Sequence, residues 1–125
     1  MFFDTNFLID LGEELQTNTV GPTRSFLGRR RSRIPAVTVI SLGELAAGMA
    51  DNEAARQFLA RFRIVSLKPE IALEAASIDC HLIRTGQRLG ENDNWIAGFA
   101  RYYGEPIVSN DRAFDRVPAL RRISY

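Results

Sequence analysis

Met1-Phe2-Phe3-Asp4-Thr5-Asn6-Phe7-Leu8-Ile9-Asp10-Leu11 sets an apolar triplet, a polar triplet and a second apolar run end to end. The first triplet is too short for anything but a brief buried strand. Phe7 to Leu11 reads as the first turns of a helix. A carboxylate, a hydroxyl and an amide therefore sit where a strand hands over to a helix. Open α/β sheets bind their ligands along that edge. The triplet has a plainer reading too, because Asp4 or Thr5 can cap the helix by accepting from its free N–H groups. The choice depends on whether other carboxylates reach the same edge.

Working outward, Gly12 to Gly21 is polar and reads as a turn or a frayed end. Pro22-Thr23 opens a second helix, proline suiting the first helical position, with Phe26 and Leu27 inward and Arg24, Arg29 and Arg30 outward. Ile34 to Ile40 is rich in β-branched residues and predicts a buried parallel strand with Pro35 at its start. Ser41 then caps a helix, and Glu44 completes a capping-box pattern. Gly48 and Asp51-Asn52 mark the break before a helix over 53–62. Ile64 to Leu67 reads as a short strand. Pro69 opens a long helix to about Thr85, with Ile71, Ala75, Ile78 and Leu82 inward and Cys80 a further candidate.

Gly86 and Gly90 bracket a loop that holds Arg88, and Asn92 or Asp93 starts a helix ended by Gly104. Pro106 to Ser109 is another strand, a helical turn covers Arg112 to Asp115, and Arg122 to Ser124 forms a last edge strand. Repeats, low-complexity tracts and linkers are absent. Short strands alternating with helices predict one α/β domain over residues 1–125, with a mainly parallel sheet of four to five short strands flanked by helices.

The 125 residues suffice for one core and not for two. No apolar run approaches the ~20 residues of a membrane span, and no basic segment leads into an apolar run as in a signal peptide. Cys80 is the only cysteine, so an intrachain disulfide and a cysteine-based zinc cluster are both excluded. A reduced, cytoplasmic setting is the expectation. Lys68 is the only lysine among 16 basic residues. Arginine meets phosphate through a rigid fork of donors, and five arginines, Arg24, Arg29, Arg30, Arg31 and Arg33, crowd one segment. They are either a solvated face or contacts to a phosphate backbone or an acidic protein.

In a parallel sheet the C-terminal strand ends share one edge, and helices running back from them open there. Asp4 ends the first strand, and Glu44 lies in the first turn after the second. Asp93 begins the helix before the Ile107 strand, and Asp111 follows that strand. Each has a local alternative: a capping box for Glu44, a helix dipole for Asp93, a turn for Asp111. Four carboxylates at one edge repel one another unless a cation compensates. Hard oxygen ligands suit Mg²⁺ or Mn²⁺, and such an ion can activate water against a phosphodiester.

Asp4-Thr5-Asn6, Ser41-Leu42-Gly43-Glu44-Leu45, Asn92-Asp93-Asn94-Trp95-Ile96-Ala97 and Val108-Ser109-Asn110-Asp111 with Phe114 together resemble the PIN-domain family. The resemblance is closest to VapC-type toxins of toxin–antitoxin pairs and runs from Met1 to about Leu120. It implies a metal-dependent endoribonuclease with a PIN-like parallel sheet. Asp4, Glu44, Asp93 and Asp111 match the acids that hold Mg²⁺ or Mn²⁺, with Asp4 and Asp93 as direct ligands. Thr5 and Asn6 match the polar supports of the first aspartate, and Asn110 rivals Asp111 for the fourth site. Ala113 stands where the family often has an acid, and Asp115 is a candidate replacement. Glu91 is a further candidate for the acidic pocket.

The implied chemistry is attack by metal-activated water on RNA, leaving 5′-phosphate and 3′-hydroxyl ends. Single-stranded or looped regions of tRNA, rRNA or mRNA are the expected substrate, since side chains cannot read the deep groove of duplex RNA. Arg24, Arg29, Arg30, Arg31 and Arg88 are the candidate RNA contacts. The resemblance also implies a homodimer and a cognate antitoxin. His81 is the only histidine, which excludes the histidine pair of metal-free ribonucleases. A receiver-like phosphoacceptor domain needs a lysine after a late strand, and Lys68 is mid-chain. The remaining rivals are a PIN-fold nucleic-acid-binding module, inactive or housekeeping, and a nuclease that cuts DNA.

Overall fold

The computed structural model describes residues 1–30 and 33–125. Its chain order is β1 (Phe2–Phe3), α1 (Thr5–Gln16), α2 (Pro22–Arg29), β2 (Ala36–Thr38), α3 (Val39–Gly48), α4 (Asn52–Phe58), β3 (Arg63–Val65), α5 (Pro69–Arg84), α6 (Glu91–Tyr102), β4 (Ile107–Val108) and β5 (Arg122–Ile123). A 3₁₀ turn, Arg112–Arg116, separates β4 from β5. The five strands lie in the order β3-β2-β1-β4-β5, and every pairing is parallel. The expected sheet is thus present with five strands.

Side chains alternate across this sheet, as the two-residue period of a strand requires. Phe2, Ala36 and Ile107 face one core with Ile71, Ile78 and Leu82 of α5, Ile96 and Phe99 of α6, and Phe114. Phe3, Val37 and Val108 face the other with Phe7, Leu8 and Leu11 of α1, and with Phe26 and Leu45. Phe3, Phe7 and Phe26 meet edge to face at centroid distances of 4.6–6.0 Å. The result is a three-layer sandwich whose central strand is β1. The chain fills one side of β1 through β2 and β3, then crosses to the other through β4. The C-terminal end of β1 therefore lies at a topological switch point, where α/β sheets leave a crevice.

Several local expectations are revised. The strand predicted over Ile34–Ile40 spans only Ala36–Thr38, and Ile34 is exposed. Thr38, not Ser41, caps α3: its side chain accepts from the Ser41 N–H, so Val39 and Ile40 are already helical. Glu44 is then too deep in the helix to complete a capping box. Helix α1 extends through Gly12 to Gln16, beyond the predicted turn. Helix α4 stops at Phe58. Cys80 is exposed rather than buried. No helix among the described residues is long and apolar enough to cross a membrane.

Helix α2 has Gly21 at its N-cap and no side-chain cap of its own. Glu14 of α1 supplies one instead, accepting from the backbone N–H groups of Gly21, Thr23 and Arg24 at 2.9–3.0 Å. Helices α5 and α6 approach closely where Gly98 faces Ala75. A Cβ at Gly98 would lie 2.8 Å from the Ala75 Cβ and 3.1 Å from its backbone. Asn94 fixes the same contact by donating from Nδ2 to the Ala75 carbonyl at 2.9 Å.

Candidate active site

Asp4 stands at the end of β1 and is 1% exposed. It caps α1, and its Oδ1 accepts from the Thr5 N–H at 2.8 Å. Its Oδ2 accepts from the Ser109 hydroxyl, also at 2.8 Å, across the β1–β4 boundary. The capping reading is therefore correct, and it does not compete with a site role, since each oxygen keeps a lone pair. Ser109 is fully buried, and its Oγ also accepts from the Asp111 N–H at 3.0 Å. One hydroxyl thus fixes the carboxylate of β1 and the backbone after β4. Sequence reasoning missed Ser109; its position at a strand end, two residues before an acid, was the available signal.

The Thr5 hydroxyl donates to Glu44 Oε1 at 2.8 Å and lies 3.0 Å from the Ser41 hydroxyl. Ser41 is itself buried and held by Thr38. Thr5 therefore ties α3 to the start of α1 and aims the Glu44 carboxylate at the same edge. Asp93 lies in the first turn of α6, where Gly90 is the N-cap, so its carboxylate is free of capping duty. Asp111 caps the 3₁₀ turn by accepting from the Ala113 N–H at 2.8 Å.

The four acids act on one another electrostatically. Asp93 is pushed up from 3.8 to about 6, first by burial and then by the charges of Asp4, Asp111 and Glu44. Burial also raises Asp4; the Ser109 and Thr5 hydrogen bonds oppose this, while Asp111 and Glu44 add to it. Repulsion of this kind marks negative charge gathered without compensation. Among the described residues, none of the four pairs with a cation within 4.0 Å. No three His, Cys, Asp or Glu side chains among those residues stand close enough to enclose an ion as they are. The donor set nonetheless fits a hard divalent cation in kind: oxygen-only and uncompensated. A cation bound there would offset the gathered negative charge.

Other candidates fall elsewhere. Asn110 uses its Oδ1 to accept from the Tyr125 N–H at 2.9 Å, which leaves Asp111 the better placed of the two. Asp115 is gripped by Arg122 at 2.9 and 3.0 Å, and so does not replace the acid missing at Ala113. Arg122 also donates to the Ser109 carbonyl at 3.0 Å. Asn6 is exposed and lines, with Thr5 and Glu44, a groove of about 680 Å³. Leu8, Ile9, Leu45, Met49 and Phe58 give the rest of that groove an apolar lining.

The described arginines expected to contact RNA are not gathered around the acids. Arg88 is held by Asp79 through two contacts of 2.9 and 3.1 Å, with Glu91 nearby, so Glu91 lies on that side. Arg24 donates to the Thr19 carbonyl. Arg29 and Arg30 border a depression with Met1, Pro35 and Pro106, the residues leading into β1, β2 and β4. They sit at the N-terminal edge of the sheet, opposite the carboxylates. Arg31 lies outside the described residues. His81 is exposed on α5, away from the acids.

Comparison with known proteins bears on family and fold. Residues 1–120 match the PIN domain family model. Ribonuclease VapC2 of Haemophilus influenzae is 37% identical over 93 residues, covering 68% of this chain and 70% of its own. The solved structure of DNA-bound VapBC from Salmonella typhimurium is 26% identical with a TM-score of 0.82, covering 98% of this chain and 96% of that one. VapBC2 from Rickettsia felis, bound to a DNA fragment from their promoter, has the same fold: TM-score 0.82, 21% identity, and 98% and 96% coverage. With a family-model match over residues 1–120 and a sheet in the order 3-2-1-4-5, the chain belongs to the PIN domain family.

Proposed function

We propose that this protein is a divalent-metal-dependent endoribonuclease, the toxin of a toxin–antitoxin pair, held inactive by its cognate antitoxin. The observation that carries this reading is the buried Asp4 carboxylate, positioned by Thr5 and Ser109 within electrostatic reach of Glu44, Asp93 and Asp111. Support also comes from relatives that bear the name ribonuclease VapC and from the VapBC complexes that share the fold.

In this reading Asp4 and Asp93 would hold Mg²⁺ or Mn²⁺ directly, and Glu44 and Asp111 would do so directly or through water. A bound ion would supply positive charge at the scissile phosphate and favour deprotonation of the attacking water. Ser109 keeps Asp4 oriented, and Thr5 does the same for Glu44. Such supports act through the ligands they hold. Asn6, exposed beside Glu44, meets the phosphate. In-line attack leaves 5′-phosphate and 3′-hydroxyl ends on single-stranded or looped RNA.

The apolar groove that opens onto Thr5, Asn6 and Glu44 receives an antitoxin segment, and an antitoxin arginine reaching the carboxylates replaces the metal's charge. Exposed Leu73 and Ile83 of α5 offer apolar surface to a second copy of the chain. The deciding experiment is cleavage of RNA by protein purified free of antitoxin. Asp4→Asn or Asp93→Asn abolishes Mn²⁺- or Mg²⁺-dependent cutting while circular dichroism stays unchanged. Equal cutting in EDTA refutes the metal mechanism, and RNA binding without cutting in any divalent ion favours the binding-module alternative.

A further inference from the structure

Four guanidinium groups collect at the edge of the sheet opposite the acids. Arg29 ends α2, Arg33 precedes β2 and Arg121 precedes β5, and with Arg30 they border one depression of about 400 Å³. Three separate segments thus deliver four cations to one concavity. All four are exposed, and none makes a side-chain hydrogen bond or ion pair among the described residues. Arg30 rests its guanidinium 4.8 Å above the Phe26 ring, which fixes its stem while leaving its donors outward. Glu105 is the acid nearest this edge, and its carboxylate is taken by the Met1 ammonium at 2.9 Å. Arg33 and Arg63 lie close enough to help hold Glu105 below its usual range, after the ammonium's own hydrogen bond, without pairing with it.

Four unpaired guanidinium groups in one hollow repel one another and focus a positive field. Their planar forks match phosphate oxygens. A lone phosphate needs only one or two of them, whereas a row of phosphates engages all four. We propose that this depression is a second nucleic-acid site, separate from the carboxylates, that binds successive phosphates of a phosphodiester backbone. It rests on the nucleic-acid reading above for the identity of the polyanion. Met1 and Asp4 flank β1 three residues apart, so the two sites are separated by ~10 Å of extended chain through the sheet. A strand passing from one to the other runs around the molecule over several nucleotides. The basic site then anchors a long substrate while the acidic one cuts it, and a very short substrate bypasses the anchor.

The test combines Arg33→Gln with Arg121→Gln, in an Asp93→Asn background that prevents cleavage. Fluorescence anisotropy follows binding to a 20-nucleotide single-stranded RNA and, separately, to a 20-base-pair DNA duplex from 50 to 200 mM salt. Two lost contacts at ~0.7 each lower the magnitude of the single-strand salt slope by about 1.4. Affinity for RNA falls by roughly tenfold at 100 mM salt. With Asp93 restored, the double variant cuts a trinucleotide at the parental rate and the 20-mer less efficiently.

Loss on RNA alone, on DNA alone or on both supports the site and names its source. Unchanged affinity and slope on both overturns it. So does a polyglutamate peptide that binds the parent as tightly as RNA and is lost with the same arginines, since the hollow then takes carboxylates. Should the double variant fail to fold by thermal melt, the single variants Arg33→Gln and Arg121→Gln carry the same test, each with half the change in slope. RNA binding that follows the arginines with no cleavage in any divalent ion sinks the nuclease reading and leaves this site standing. Cleavage indifferent to the arginines does the reverse.

Discussion

Asp93→Asn is expected to stabilise the metal-free protein at neutral pH while removing its metal response. Asp93 titrates at about 6 in the fold instead of 3.8. At ~1.4 kcal/mol per pH unit, ionising it in the fold costs about 3 kcal/mol relative to the unfolded chain. Partial solvent access and screening reduce that to ~1–2 kcal/mol. The sign follows from the raised value: stability is fully present below about pH 4 and is lost as pH rises through 6.

Asparagine keeps the shape and abolishes the charge. In EDTA at pH 7.5 the variant therefore melts ~4–8 °C above the parent, and the two coincide near pH 3.5. Adding 5 mM Mn²⁺ reverses the order, because an ion that binds only the native state stabilises it by mass action and the variant lacks a ligand. Calorimetry in the four combinations of pH and ion measures this directly. A variant that melts below the parent in EDTA at pH 7.5 by the same margin as at pH 3.5 would refute the reasoning, for Asp93 would then be packing and not opposing charge.

Ser109→Ala removes the donor to Asp4 and the acceptor of the Asp111 N–H; metal affinity by titration calorimetry falls by ~10–100-fold, with a larger upward shift in the acidic limb of the pH–rate profile than Ser124→Ala produces. Glu14→Gln weakens the borrowed cap of α2 by about 1–2 kcal/mol in urea unfolding. Burial pushes Glu14 up, but the amides of Arg24, Thr23 and Gly21 bring it below 4.5 overall, so the parent's advantage is present at pH 7 and lost as pH falls through that lowered value. Gly98→Ala forces α5 and α6 apart and costs about 1–3 kcal/mol; pairing it with Ala75→Gly recovers part of the loss, and full stability of the single variant would exclude the close approach.

The elements were most legible where the local sequence carried its own punctuation. Proline at position 69 and the apolar spacing of Ile71, Ala75, Ile78 and Leu82 located α5 to within a residue. The strand ends that carry Asp4 and Asp111 were equally plain, because short apolar runs stop at polar residues. The second strand was overextended because Val39 and Ile40 are β-branched, and Thr38's hydroxyl outweighed that preference by capping a helix in front of them. Cys80 followed the wrong face of α5 for the same reason that Leu73 is exposed: periodicity gives a stripe, not its width. The acidic residues could be assigned to one edge from strand order alone. The arginines could not, since position 29 and position 121 meet only through the folded sheet.

The separation of charge has a consequence that the formal net charge of +1 conceals. Asp4, Glu44, Asp93 and Asp111 stand at one end of a short parallel sheet and Arg29, Arg30, Arg33 and Arg121 at the other, so these eight groups set a charge gradient along the strands. Such a gradient favours approach of a polyanion by the arginine end. Its encounter rate with such a partner is therefore sensitive to ionic strength, although its average charge is close to neutral. Orientation on approach is written into the sheet.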